Sequence, residues 1–198
     1  MVKEPRPGRV KTRLAGDIGT VPAAWWYRHN CARLLRRLAD RRWRLRLAVS
    51  PDSAGMRSRV WPAGLSRMPQ GEGDLGARML RCLGRARGPA VLVGSDIPGL
   101  GPAHVARAFR ALGGADMVFG PALDGGFWLV GARHPQRLPR GLFAGVPWSG
   151  PQVLEEVRAG IPGLTVALAD RLADVDRAQD LASLTGSHPR SFDSARSS

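Results

Sequence analysis

Four apolar residues without alternation, Ala90-Val91-Leu92-Val93, run straight into Gly94-Ser95-Asp96-Ile97-Pro98. A strand with apolar side chains at both parities is buried on both faces. It needs helices above and below it, which excludes a sheet with one wet face. The flanking sequence supplies them. Residues 22–42 keep an apolar stripe at Trp26, Leu34, Leu35 and Leu38, and Pro22 suits a first helical turn. Residues 74–86 place Leu75, Met79, Leu80 and Leu83 on one side of a helix, and 102–112, 151–159 and 177–184 also read as helices. Residues 45–50 alternate and stop at Pro51-Asp52. Further strands are expected at 65–69, 115–119, 164–168 and 127–131, the last after the turn Asp124-Gly125-Gly126. Pro5, Pro7 and Gly8 make 3–13 a loop. Strands alternating with helices specify an α/β fold with a mainly parallel sheet.

At 198 residues the chain has room for one domain, expected over 1–185, with a disordered Ser/Arg-rich tail over 186–198. No run of eighteen or so apolar residues is present to span a membrane, and no secretory leader is evident. Cys31 and Cys82 form neither a CxxC pair nor a cluster with histidine, so a cytoplasmic protein with inert thiols is expected. The net charge of +14 raises nucleic acid as a partner. Lys3 and Lys11 are the only lysines, however, and the arginines are scattered apart from Arg33, Arg36, Arg37, Arg41, Arg42, Arg44 and Arg46. The first five of that run read as a solvated helix face in preference to a nucleic-acid face.

Ligands of open α/β sheets bind at the carboxyl ends of strands. Asp96 follows the most apolar strand, Asp124 sits in a glycine turn, and Asp174, Asp176 and Asp180 cluster late in the chain. Short carboxylates at strand ends suit a hard divalent cation such as Mg²⁺; cap and turn chemistry is the competing reading for each of them. Arg6, Arg9, Lys11 and Arg13, with the backbone N–H groups around Gly8, form a phosphate cradle or a solvated basic turn. It is not a Walker A loop, because Val10 precedes the lysine. A nucleophile elbow is excluded by Val93, HExxH zinc chemistry by dispersed histidines, and a Rossmann site by the lack of GxGxxG between strand and helix. Gly125-Gly126 permits close backbone approach, with Phe127 and Trp128 beside it as an apolar wall or stacking face.

Five segments together carry a resemblance: Lys3-x-Pro5-x-Pro7-Gly8-x-Val10-Lys11-Thr12-Arg13-Leu14; Gln70-x-x-Gly73-Asp74-Leu75-Gly76-x-Arg78-Met79; Gly94-Ser95-Asp96-Ile97-Pro98; Gly120-Pro121-Ala122-x-Asp124-Gly125-Gly126-Phe127-Trp128-Leu129; and Asp174-Val175-Asp176-x-x-x-Asp180-Leu181. In this order the chain resembles a bacterial GT-A-type transferase family catalogued as a domain of unknown function. Some of its members are labelled arsenosugar-biosynthesis glycosyltransferases. The resemblance implies a three-layer α/β/α nucleotide-diphospho-sugar transferase fold, with kinship to the guanylyltransferases of molybdenum-cofactor and deazaflavin-cofactor synthesis. It implies that Pro7, Gly8, Arg9, Lys11, Thr12, Arg13 and Ser95 bind the nucleotide. Asp96 is then catalytic and holds Mg²⁺ or Mn²⁺ with Asp176. Asp124 is catalytic towards an acceptor bound at Gly125, Gly126, Phe127 and Trp128.

The chain departs from that family at its beginning, where only Met1 and Val2 precede Lys3 in place of an apolar strand. The sheet is therefore expected to lack most of its first strand, leaving two unpaired edges and an open slot, with a true start upstream. The expected function is metal-dependent transfer from a nucleotide-sugar donor to a small-molecule acceptor. The alternatives are nucleotidyl transfer from a nucleoside triphosphate and non-catalytic binding of nucleic-acid phosphates.

Overall fold

The computed structural model describes residues 1–148 and 150–186. Of the tail expected from residue 186, Gly186 closes the last helix and the rest lies outside the described residues. The elements run β1 (Val2–Lys3), α1 (Thr12–Ile18), α2 (Thr20–Arg37), β2 (Leu47–Ser50), α3 (Asp52–Arg57), β3 (Arg67–Pro69), α4 (Leu75–Gly84), β4 (Ala90–Val93), α5 (Pro102–Ala111), β5 (Met117–Pro121), β6 (Phe127–Ala132), α6 (Val153–Ala159), β7 (Val166–Leu168) and α7 (Ala178–Gly186).

Every expected strand forms, with its ends shifted by one or two residues. Two helices do not appear in the sequence reading. The loop expected over 3–13 gives way to α1 at Thr12. Lys11 turns the backbone left-handed (φ 47°, ψ 51°), and its carbonyl accepts the N–H of Ala15 to start the helix. The helix α3, six residues long, is too short to show a period. The helix expected over 22–42 stops at Arg37, so Arg41 and Arg42 lie beyond it. The arginine run is therefore not one helix face: Arg37 donates to the carbonyls of Pro98 and Leu100, and Arg42 pairs with Asp40 and lies over the Trp43 ring.

Three of the five ladders are parallel: β1 with β2, β2 with β3, and β5 with β7. The strand β6 runs antiparallel between β4 and β5. Alternate strand side chains enter opposite cores, except at the register shift opposite Gly120 and Pro121, where the adjacent Trp128 and Leu129 enter the same one. Val91, Val93, Val118, Trp128 and Leu129 pack with α2 and α5. Leu92, Met117, Phe119 and Val130 pack with α4 and α6. Helices thus cover both faces, as the unalternating run at 90–93 requires.

The sheet is divided into β1-β2-β3 and β4-β6-β5-β7. The strand β1 pairs only Val49 and Ser50 of β2, and among the described residues β4 has a ladder partner only in β6. Across the divide the Met1 ammonium donates to the Val93 carbonyl. Above that bond lies a slot of about 880 Å³, floored by Leu45, Ala48, Met68, Val91 and Phe109. The expected edges and slot are both present. Within the first half-sheet, buried Gln70 ties β1 to β2, its amide nitrogen donating to the carbonyls of Val2 and Ala48.

Candidate active site

A second cavity, of about 710 Å³, opens where the loops after β1, β4, β6's preceding turn and β7 meet. Its size is that of a small-molecule site. Its lining draws Lys3, Lys11, Thr12 and Arg13 from the N-terminal segment, Gly94, Ser95 and Asp96 from the loop after β4, Asp174 and Asp176 from the late acidic segment, and Asp124, Gly126 and Phe127 from the β5–β6 hairpin, with Trp148.

The acids converge because three local arrangements hold their backbones. Ser95 is buried after β4, its hydroxyl sharing a hydrogen bond with Tyr27 (2.8 Å) while its carbonyl accepts from Asn30 (2.9 Å). The Val175 N–H donates to the Asp96 carbonyl (3.1 Å), tying the late acidic segment to the loop after β4. Val175 itself is buried against Leu14 and Ala23, so the alternation Asp-Val-Asp puts apolar weight below and both carboxylates above. The Asp180 carboxylate accepts the N–H groups of Asp176 and Arg177 at the start of α7, as an N-terminal cap does. Asp180 is thereby a structural residue and not a ligand.

Carboxylate oxygens of Asp96, Asp174 and Asp176 lie within 4.8 Å of one another. The sequence reading named Asp96 and Asp176; Asp174 is the addition. The Lys11 ammonium bonds Asp96 Oδ2 (2.6 Å) and Asp176 Oδ1 (2.8 Å), and Arg13 bonds Asp176 Oδ2 (2.9 Å). The Lys11 side chain is only 6% exposed, against 33% for each partner carboxylate. Burial pulls the Lys11 pKa down, but the attraction of Asp96 and Asp176 outweighs it and the pKa ends above its ordinary value. Burial likewise favours neutral Asp176, yet Lys11 and Arg13 hold its pKa below the usual carboxylate range. Among the described residues no cation pairs with Asp174. Burial, then the charges of Asp124, Asp96 and Asp176, push it up to about 6.

The raised Asp174 has a consequence for stability. The folded chain binds a proton that the unfolded chain has lost between roughly pH 4 and 6, so this group makes stability fall as pH rises through that window. The full shift corresponds to about 3 kcal/mol, which partial exposure to solvent reduces to about 1 kcal/mol. Asp174→Asn is therefore expected to raise the metal-free melting midpoint at pH 7 by about 2–4 °C and to leave it unchanged near pH 4. Thermal melts of both chains across that range read the difference directly.

The opposite wall is the β5–β6 hairpin. Its turn is closed by Ala122 N–H to Gly126 O (3.0 Å) and Gly126 N–H to Asp124 Oδ1 (3.0 Å). Gly125 adopts φ +88°, which a side chain strains to reach. Phe127 faces the cavity within an aromatic group including Phe119 and Trp148. Trp128 points the other way, into the core beneath α5, and donates its indole N–H to the Asp170 carbonyl (2.9 Å). Both Phe127 and Trp128 belong to the cavity lining, but the Trp128 side chain is almost wholly buried, at 3% exposure, so Phe127 offers the more accessible ring.

Of the basic loop, Lys11, Thr12 and Arg13 reach the cavity, whereas Pro7, Gly8 and Arg9 form an exposed turn that does not line it. Gly126 lines the cavity; Gly125 shapes the turn behind it. Tyr27, Gln70 and Trp148 belong to the lining without having been singled out as ligand-facing residues. The donor set, three hard carboxylates close together with two of them already sharing one positive charge, fits Mg²⁺ or Mn²⁺. Among the described residues no helix is long and apolar enough to cross a membrane.

The family described as "Uncharacterized protein conserved in bacteria (DUF2064)" matches residues 34–150. Among solved structures, a "putative nucleotide-diphospho-sugar transferase from Desulfovibrio desulfuricans G20" is 30% identical, with a TM-score of 0.78 over 96% of this chain and 86% of that one. Rv0371c from Mycobacterium tuberculosis H37Rv is 18% identical, with a TM-score of 0.48 over 81% of this chain and 84% of that one. No curated protein matches. The expected fold is borne out by the first of these structures, whose likeness spans nearly the whole chain. With more than half its length matched by one family and a 30% identical relative sharing its fold end to end, the chain belongs to the DUF2064 family of bacterial proteins and has the nucleotide-diphospho-sugar transferase fold.

Proposed function

We propose that the protein transfers a sugar from a nucleotide-diphospho-sugar to a small-molecule hydroxyl, with Mg²⁺ or Mn²⁺ held by Asp96, Asp174 and Asp176. The observation that carries this reading is the meeting of that acidic cluster with Lys11 and Arg13 in one cavity at the strand ends. The name of the Desulfovibrio desulfuricans relative supports it. A bound divalent cation supplies Lewis-acid stabilisation of the charge that builds on the diphosphate leaving group. Lys11 and Arg13 add fixed positive charge on the same side. Ser95 and Tyr27, fixed to each other by their hydroxyls, shape the floor on which the nucleotide rests. Asp124, across the cavity on the hairpin turn, orients the acceptor hydroxyl and receives its proton as the oxygen attacks the sugar. Phe127 and Trp148 give the acceptor side an apolar wall that excludes water.

A melting scan against UDP, GDP, CDP, ADP and their sugars and triphosphates, with and without Mn²⁺, tests the reading. A ligand at one hundred times its dissociation constant adds about 2.7 kcal/mol. In a domain of this size that raises the midpoint by about 5–10 °C. A shift for one base, present only with metal, is the expected result; no shift for any nucleotide in a folded sample counts against it. Products then fix the reaction: nucleoside diphosphate release marks sugar transfer, and pyrophosphate release from a triphosphate marks nucleotidyl transfer.

A further inference from the structure

The metal reading leaves one feature unexplained. The acidic cluster already holds a cation of the chain's own, an ammonium seated between Asp96 and Asp176. We infer that Lys11 is a tethered counter-ion that keeps the cluster closed, and that a divalent cation enters only by displacing the ammonium, which then serves the diphosphate. This rests on the proposed metal centre and adds to it an exchange of cations at one position.

Three observations carry the inference. The first is geometric. Lys11 Nζ bonds one oxygen of each of two carboxylates that would ligate the metal, and the third carboxylate is within 4.8 Å of both. An ammonium and a divalent cation cannot both fill the one gap between these two oxygens, and at that separation their like charges repel strongly, so the two occupancies compete. The second is conformational. Lys11 is the one non-glycine residue with positive φ among the described residues. Such a backbone persists where surrounding interactions hold it, and here the side chain reaches inward to partners 85 and 165 positions away. The third is chemical. Apart from Lys3 and Lys11 every basic residue of this chain is arginine. Lysine stands where a compact point charge on a flexible stem is needed; a planar guanidinium fork neither occupies a cation's position among three oxygens nor leaves it by rotation of a four-carbon stem.

The exchange links the two ligands. Metal entering alone strands Lys11, and a diphosphate gives the released ammonium a new anion, so each ligand favours the other.

The two lysines make the test direct. Lys3 is exposed and serves as the internal standard for amine acetylation read by peptide mass spectrometry. In the metal-free chain Lys11 is expected to react about tenfold or more slowly than Lys3, because its ammonium is both ion-paired and covered. Saturating Mn²⁺, with binding followed by loss of the free-ion electron paramagnetic resonance signal, is expected to bring Lys11 to within about threefold of Lys3. Added inorganic pyrophosphate is expected to protect it again while Mn²⁺ stays bound. In Lys11→Met, checked for folding by circular dichroism, Mn²⁺ alone is expected to bind about tenfold more tightly than to the wild-type chain. Mn²⁺ that binds while Lys11 stays protected overturns the exchange and leaves the metal centre standing. Lys11 that stays fully reactive with both Mn²⁺ and pyrophosphate bound overturns its transfer to phosphate. Lys11→Met that binds Mn²⁺ no more tightly than the wild-type chain overturns the exchange, and failure of both chains to bind Mn²⁺ overturns the exchange and the metal centre together.

Discussion

Asp96→Asn is expected to lower sugar-transfer turnover by about a thousandfold and to abolish Mn²⁺-dependent nucleotide binding. The substitution keeps shape and removes one charge from the centre of the cluster. Its effect on folding is expected to be small, within about 1 kcal/mol, because the Asp96 side chain is partly exposed and Lys11 keeps Asp176 as a partner. The backbone role of Asp96, accepting the N–H of Val175, does not depend on the carboxylate. Steady-state rates with the donor found by the melting scan, calorimetric nucleotide titration with and without metal, and a thermal melt together separate the two effects. Wild-type turnover in the variant would remove Asp96 from the mechanism.

The second large effect is on the fold. At Gly125 a Cβ would stand 1.8 Å from the Pro151 carbonyl oxygen, and φ is +88°. The obstacle is backbone, so no side-chain rotation relieves it. The turn must move, which also endangers the bond from Leu154 N–H to the Gly125 carbonyl (3.0 Å). Gly125→Ala is expected to cost about 3–4 kcal/mol, lowering the melting midpoint by roughly 6–16 °C. Gly16, in α1 with nothing within 4 Å of its added Cβ, is the matched control, and Gly16→Ala is expected to stabilise by about 0.5–1 kcal/mol. Equal melting points for the two variants would contradict the packing described for the hairpin.

The parts of the fold that can be read from the sequence are those whose signal is local. Ala90-Val91-Leu92-Val93 announces a strand between two helical layers by composition alone, although all four residues stay only half-buried beside the slot, and the period announces α4 and α5. Strand direction leaves no such trace, which is why β6 reads as one more strand and turns out to be antiparallel. The onset of α1 hangs on the left-handed turn at Lys11, a conformation rare enough in lysine that no propensity anticipates it. In the site, Asp96 is legible from its place after the central strand. The place of Asp174 beside it is not, because that segment joins the cluster through a long-range hydrogen bond, from Val175 to Asp96. Phe127 and Trp128 show the opposite case: the pleat alone sends their rings into different cores, so the sequence held that separation in two adjacent residues.

The divided sheet gives the arginine excess a second meaning. Arg42, Arg44, Arg46, Arg85 and Arg87 rim the slot between the two half-sheets. Free strand edges are templates for pairing with another molecule, and charge beside them is a recognised protection. Two copies approaching slot to slot bring like charges together before any backbone groups can meet. The guard is electrostatic, so its reach is the Debye length, about 10 Å at 0.1 M salt and about 3 Å at 1 M. The colloidal behaviour of this protein is thereby tied to ionic strength through the same gap that interrupts its sheet.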